Sequence, residues 1–267
     1  MSARIRNGQG FVAGSLIGTL GGLIGLGGAE FRLPVLVGLF RLGTLEAVIL
    51  NKAVSLVVVA AALLFRGGAI SPDILYLHLD VVLNLLAGSL VGAWWAAGHA
   101  ITLPRPWLNR IVMVLLVGLS LVMLSEAWAG VHQGSTPIFA AGAWRFAAGL
   151  VSGLGIGMVA ALLGVAGGEL LIPTIVLLYG LDIKLAGSLS LMVSLPTMIV
   201  GLARYTRADA FAVLRQEEPL MWWMVAGSIL GAALGGLLLG LVPTGLLMML
   251  LAVLLLVSAV KTFQHAH

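Results

Sequence analysis

Apolar residues run through this chain in long blocks separated by short polar punctuation, and the block lengths predict helices. Residues 46–65, 75–97, 107–124, 185–203, 219–239 and 245–260 read as membrane spans, and 11–26 and 144–163 as the helices that precede two breaks; a bilayer crossing takes about 20 mostly apolar residues. Two further blocks are interrupted. Gly25 to Pro34 reads GLGGAEFRLP and Gly164 to Pro173 reads GVAGGELLIP, so each sets a glycine cluster, one carboxylate and a proline inside an apolar run. The runs that follow, 31–40 and 170–179, give roughly 15 Å of helix, half a bilayer. The pattern predicts two broken helices whose second parts start near Ala29 to Arg32 and Gly168 to Leu171.

The second interrupted block copies the first at an offset of 139 (173 − 34 for the two prolines). At the same offset Gly14 matches Gly153, Gly18 matches Gly157, Glu30 matches Glu169 and Ser55 matches Ser194. Ala87-Gly88-Ser89 matches Ala226-Gly227-Ser228, and Pro104 matches Pro243. Glycine, proline, serine and glutamate falling in register are far more specific than apolar matches would be. The expected organisation is an N-terminal transmembrane repeat over 1–125, a linker over 126–143 rich in Gly, Ser and Thr, and a C-terminal transmembrane repeat over 144–267.

If each glycine-rich block is a hairpin of part-helices that returns to its starting side, each repeat adds three further crossings. That odd total turns the second repeat upside down. With the N-terminus inside, Arg4, Arg6, Arg41, Arg105, Arg110, Arg204, Arg207, Arg215 and Lys261 fall inside, while Arg66, Arg145 and Lys184 fall outside. Basic residues favour the cytoplasmic side, so both termini are expected there. The fold expected is an all-α integral membrane protein of two inverted-topology repeats, each a Gly-broken helical hairpin plus about three transmembrane helices. Trp94, Trp95, Trp107, Trp128, Trp144, Trp222 and Trp223 lie near predicted helix ends, as an interfacial aromatic belt requires.

Composition removes the competing classes. Of 267 residues 61% are hydrophobic and only 9% charged, with mean hydropathy +1.14; soluble domains carry roughly 25% charged residues. The net charge of +4 is spread over segment ends and forms no patch for nucleic acid. There is no cysteine, which excludes disulfides, thiolate catalysis and Cys-ligated metals. His78, His99 and His132 share no ligand spacing, so no metal site is expected, and nothing in the sequence implies a cofactor. The basic start MSARIRNGQG leads into an apolar run without a cleavage pattern and reads as the first helix.

Chemistry is expected where the two breaks meet. Non-helical backbone at membrane depth is tolerated only inside protein or against water. A glycine cluster there leaves amides uncovered, and a part-helix start carries partial positive charge that suits anions. Transporters built from inverted repeats hold cargo at such midplane breaks. The candidate binding residues are Gly27, Gly28, Ala29, Glu30, Arg32, Asn51, Lys52 and Ser55 in the first repeat, with Gly167, Gly168, Glu169, Ser188, Ser190 and Ser194 in the second. Ionisable groups in a span cost about 3 kcal/mol on insertion scales, so they require a reason. Arg32 and Lys52 have Leu171 and Leu191 as counterparts, which makes the expected site lopsided, with cationic side chains from one half. Glu30 and Glu169 are the candidates for carrying a proton, because burial raises a carboxyl pKa; the alternative for Glu30 is a structural pair with Arg32 or Lys52. Asp80 and Asn84 read as an interfacial polar pair.

Several of these elements resemble the TauE/SafE family of membrane permeases. They are Gly25-Leu-Gly-Gly28 with Pro34, its copy ending in Gly167-Gly168 with Pro173, the Ala-x-Ser-Leu element Ala186 to Leu189, and Gly227-Ser-x-x-Gly231-Ala232. The resemblance covers nearly the whole chain. It implies export of sulfite or an organosulfonate or organic acid across the bacterial inner membrane, and sulfur is implied by the family alone. Ala29, where the family usually has a third glycine, and Ala47-Val-Ile-Leu50 in place of Ala-Thr-Ser-Leu depart from the pattern. A passive anion channel is a second class consistent with the same residues. A membrane-embedded enzyme is a third, but no His-Glu-x-x-His, Gly-x-Ser-x-Gly or Walker motif is present.

Overall fold

The computed structural model describes residues 3–42, 44–67, 72–99, 117, 118, 120, 121, 124, 137–163, 165–205, 215, 217–243, 245–247, 249–253 and 256. They form helices α1 (Ala3–Ile24), α2 (Ala29–Gly38), α3 (Thr44–Arg66), α4 (Pro72–Leu77), α5 (Leu79–His99), α6 (Ala143–Leu163), α7 (Gly168–Tyr179), α8 (Ile183–Tyr205) and α9 (Glu218–Leu238). The described residues contain no strand. Among the described residues, five stretches are long and apolar enough to cross a membrane: Ile49–Arg66, Leu79–Ala96, Ala143–Ala161, Ile183–Ala203 and Glu218–Leu238. Most of the expected span 107–124, part of the expected span 245–260, and most of the linker 126–143 lie outside the described residues.

Helix limits recur at the offset read from sequence. Both ends of α3 and α8 differ by 139 (183 − 44 and 205 − 66), and so do both ends of α5 and α9 (218 − 79 and 238 − 99). The copies are interleaved in space. Helix α1 packs most extensively on α9 of the other repeat, and α5 on α6. Glycine makes these pairings possible: Gly14, Gly18 and Gly22 face the backbone carbonyls of Met224, Ser228 and Ala232, while Gly227, Gly231 and Gly235 face those of Phe11, Ser15 and Thr19. At the matching contact Gly88 and Gly92 face Leu150 and Leu154, and Gly153 and Gly157 face Leu85 and Ser89. In lipid no hydrophobic force pushes helices together, so close backbone approach through small residues supplies the attraction. Residue numbers rise together along both pairs, so each pair is parallel.

Helices α3 and α8, the central copies, run in opposite directions. A methyl group on Gly201, late in α8, would come within 3.1 Å of Lys52 Nζ, which belongs to the first half of α3. Arg66, the last residue of α3, instead donates to the Lys184 carbonyl at 2.6 Å and to Ser188 Oγ at 2.9 Å, both in the first turns of α8. By contrast Phe65 of α3 lies against Gly236 near the end of α9, so α3 runs with α9 and α1.

Each short helix folds back along the long helix before it. Gly21 of α1 faces the Gly28 nitrogen, and Gly10, three turns earlier, is near the Phe40 ring. In the second copy Gly167 faces Ile156 and Ala160, and Gly149 faces the Tyr179 hydroxyl. Two apolar cores result, one around Leu171, Ile175, Leu189 and Val193, the other around Leu36, Leu50, Val58 and Met224. The outside is apolar too: Leu64, Trp144, Leu237 and Leu241 are each at least 76% exposed, which suits lipid as the solvent. Trp94, Trp95, Trp222 and Trp223 also point outward.

Candidate functional site

The two short helices begin at equivalent glycines. Gly28 (φ 72°, ψ 15°) caps α2 and Gly167 (φ 77°, ψ 1°) caps α7, both in the left-handed region. Only glycine enters that region without steric cost. Neither cap contributes a side-chain hydrogen bond, since glycine has no side chain to offer. The proline of each copy then falls inside the short helix; Pro173 lies among the buried residues of α7.

The breaks touch each other. A methyl group on Gly168 would lie 3.0 Å from Leu26 Cα and 3.3 Å from the Gly25 carbonyl oxygen, and one on Gly27 would lie 3.5 Å from Ala166 Cβ. Ser190 of α8 donates to the Gly25 carbonyl at 3.0 Å and to its own Gly187 carbonyl at 2.8 Å. Two helix N-termini and two stretches of open backbone therefore share one interior location.

The polar side chains expected at the site are buried, though Lys52 points its Nζ towards Gly201, late in α8 and away from Ser190. Arg32, one turn into α2, is 0% exposed; it donates to Ser55 Oγ at 2.6 Å, to Asn51 Oδ1 at 3.4 Å and, across the repeat boundary, to Ser228 Oγ at 3.4 Å. Asn51 in turn donates to the Ala29 carbonyl at 3.0 Å, which ties α3 to the first residue of α2. Lys52 and Glu169 are also buried. Ser194, the copy of Ser55, is buried, and its hydroxyl has no hydrogen-bond partner among the described residues. Its repeat has Leu171 where the first has Arg32, so the hydroxyl that Arg32 occupies in one copy is left over in the other. The side chain of Glu30 lies outside the described residues; its backbone is in the first turn of α2.

Residues 2–123 match the protein-family model Sulfite exporter TauE/SafE. No curated protein and no solved structure is matched. Together with the five membrane-length helices among the described residues, this describes a multi-pass membrane protein whose first half is similar to that family. The matched TauE/SafE segment contains Arg32, Asn51, Lys52 and Ser55; Ser190 and Ser228, which complete their surroundings, come from the second repeat.

Arg66, the last residue of α3 and expected on the outer side, carries a structural role that sequence did not suggest. It is 1% exposed and donates to the carbonyls of Gly22 at 2.9 Å and Leu23 at 3.0 Å, besides Ser188 and Lys184. Those carbonyls are orphans at the end of α1, where the helix dipole is negative, so the guanidinium caps α1 and holds it to α8. Ser188, expected near cargo, is engaged in this cap. Ser228 and Arg66 are the residues that sequence reasoning missed. Ser228 belonged to the repeated Ala-Gly-Ser element, whose recurrence was its only visible mark.

Proposed function

We propose that this protein is a secondary transporter, an exporter of a small anion such as sulfite, an organosulfonate or an organic acid, working by alternating access. The observation that carries the reading is the contact between the two glycine breaks, with Gly168 against Leu26 and Gly27 against Ala166, beside the buried Arg32. An anion there would meet the N-terminal ends of α2 and α7, where the helix dipole is positive, and cationic charge supplied by the first repeat, Arg32 and Lys52. Gly27, Gly28, Ala29, Glu30, Asn51, Ser55, Gly167, Gly168, Glu169, Ser190 and Ser194 complete the proposed site. Sulfur as the cargo's element rests on the family match alone.

Alternating access follows from the architecture we infer, an inverted pair of repeats over 1–125 and 144–267 joined by a linker. The opposite directions of α3 and α8 support it, since a two-fold axis in the membrane plane reverses such copies. The excess of basic residues expected on one side supports a cytoplasmic N-terminus, with both termini on the inner side of a bacterial plasma membrane. Glu169 is the proposed proton carrier, with Glu30 as its counterpart.

Proteoliposomes decide the matter. Purified protein should give saturable flux of at least one anion among sulfite, alkyl sulfonates and small carboxylates. Absence of flux for the whole panel would remove the proposal, and a conductance that rises without saturation would replace it with a channel.

A further inference from the structure

At the end of the bundle where α5 and α6 begin, a cavity of about 450 Å³ opens between them and the last residue of α7. It lies beyond the breaks and takes no part in the site above. Ligand pockets typically span about 300–1,000 Å³, so its size admits a small molecule or a headgroup. Its lining is chemically specific. Asn84 is 5% exposed and donates through Nδ2 to the Tyr179 hydroxyl at 2.8 Å. That leaves the Tyr179 O–H hydrogen free to donate, while Asn84 Oδ1 is buried without a hydrogen-bond partner among the described residues. The Arg145 guanidinium stands over the Tyr179 ring, 5.6 Å from its centroid. Asp80 lines the same cavity. Among the described residues neither Arg145 nor Asp80 is in an ion pair, whereas Arg6 pairs with Glu217.

The cavity thus holds a cation and a hydroxyl donor for an anionic group, and a carboxylate and an amide oxygen for a cationic one. The repeat partner of this place keeps only the arginine: Asp80, Asn84 and Tyr179 become Pro219, Trp223 and Phe40, and the partner of Arg145 is Arg6, already tied to Glu217. Hence the polar lining is not a by-product of the duplicated architecture. The rim is apolar. Leu83 and Phe146 line the cavity and are 61% and 59% exposed on the outer face, where acyl chains would run.

We propose that this cavity binds the headgroup of a membrane lipid carrying a phosphate and a primary ammonium, of the phosphatidylethanolamine type. Arg145 and the Tyr179 hydroxyl hold the phosphate. Asp80 and Asn84 Oδ1 accept hydrogen bonds from the ammonium, which a quaternary amine cannot give. The acyl chains leave between Leu83 and Phe146 into the bilayer.

Thermal stabilisation of the detergent-purified protein by short-chain lipids tests this, with soluble phosphoethanolamine as a parallel arm. Phosphatidylethanolamine should stabilise at concentrations at least tenfold below those required of phosphatidylcholine or phosphatidylglycerol. Soluble phosphoethanolamine should be much weaker than the lipid. Asp80→Asn should abolish the preference over phosphatidylglycerol, and Arg145→Gln should weaken all phospholipids. Equal stabilisation by the three lipids overturns the proposal, as does a preference that survives both substitutions. Soluble phosphoethanolamine acting as strongly as the lipid would overturn the lipid as the occupant. The readout is independent of transport, so loss of anion flux would not affect it.

Discussion

The guanidinium of Arg66 donates to the hydroxyl of Ser188 at 2.9 Å, and through that bond the last residue of α3 reaches the second turn of α8. Its other three hydrogen bonds go to carbonyls of α1 and α8. A lysine there keeps the charge but cannot span four acceptors set around a planar fork. Each buried acceptor left without a donor costs about 1–3 kcal/mol. Arg66→Lys is therefore expected to lower stability by at least about 3 kcal/mol, and Ser188→Ala by no more than about half of that. Thermal unfolding in detergent, followed by size-exclusion recovery, measures both.

Glycine content along α6 separates packing from propensity. Gly153 and Gly157 face carbonyls of α5, whereas Gly155 has nothing within 4 Å of where a side chain would start. Gly157→Leu should therefore prevent recovery of folded protein. Gly155→Ala should be neutral or stabilising by about 1 kcal/mol, the helix-propensity difference. Expression-normalised yield of monodisperse protein distinguishes the two.

Anion affinity is expected to depend on both first-repeat cations. Arg32→Ala and Lys52→Ala should each weaken binding of the transported anion at least tenfold, about 1.4 kcal/mol. Calorimetry on protein shown to be folded is the check. Wild-type affinity in either variant would leave that residue a packing role only.

Proton coupling has its own signature. With Glu169 as the carrier, Glu169→Gln should flatten the pH dependence of net flux while leaving anion exchange at fixed pH measurable. An unchanged pH profile would assign the carboxyl to structure.

Topology is open to a clean chemical test, because the chain has no cysteine. Arg41, which follows α2, and Gly240, which follows α9, belong to opposite ends of the bundle in the inverted arrangement. Single cysteines at these two positions should react with an impermeant maleimide from opposite sides of oriented vesicles. Labelling from one side would refute the inversion.

Sequence disclosed the breaks well, and for a physical reason. Glycine, carboxylate and proline inside an apolar run conflict with an uninterrupted span, so Gly28 and Gly167 stand out in the sequence alone. The starts of α2 and α7 fell where expected. Which helix packs on which was not legible. Gly14, Gly18 and Gly22 announce close approach, but a glycine face does not encode its partner, and α9 lies some 200 residues downstream (218 − 24). The capping role of Arg66 was hidden because an arginine ending an apolar run ordinarily reaches for headgroups; its burial depends on α8 being folded against it. The Asn84–Tyr179 bond joins residues 95 positions apart and has no local spacing to betray it.

The cross-repeat pairing of α1 with α9 also bears on how the protein is made. As the chain leaves the ribosome, α1 enters the membrane with its carbonyl-lined groove unfilled. Its mate follows only after the intervening segment has been translated, roughly 10–40 s at ordinary elongation rates. Until then the nascent first half is an open clasp. A product ending near residue 125 would stay open, exposed to whatever insertase or membrane protease meets it first.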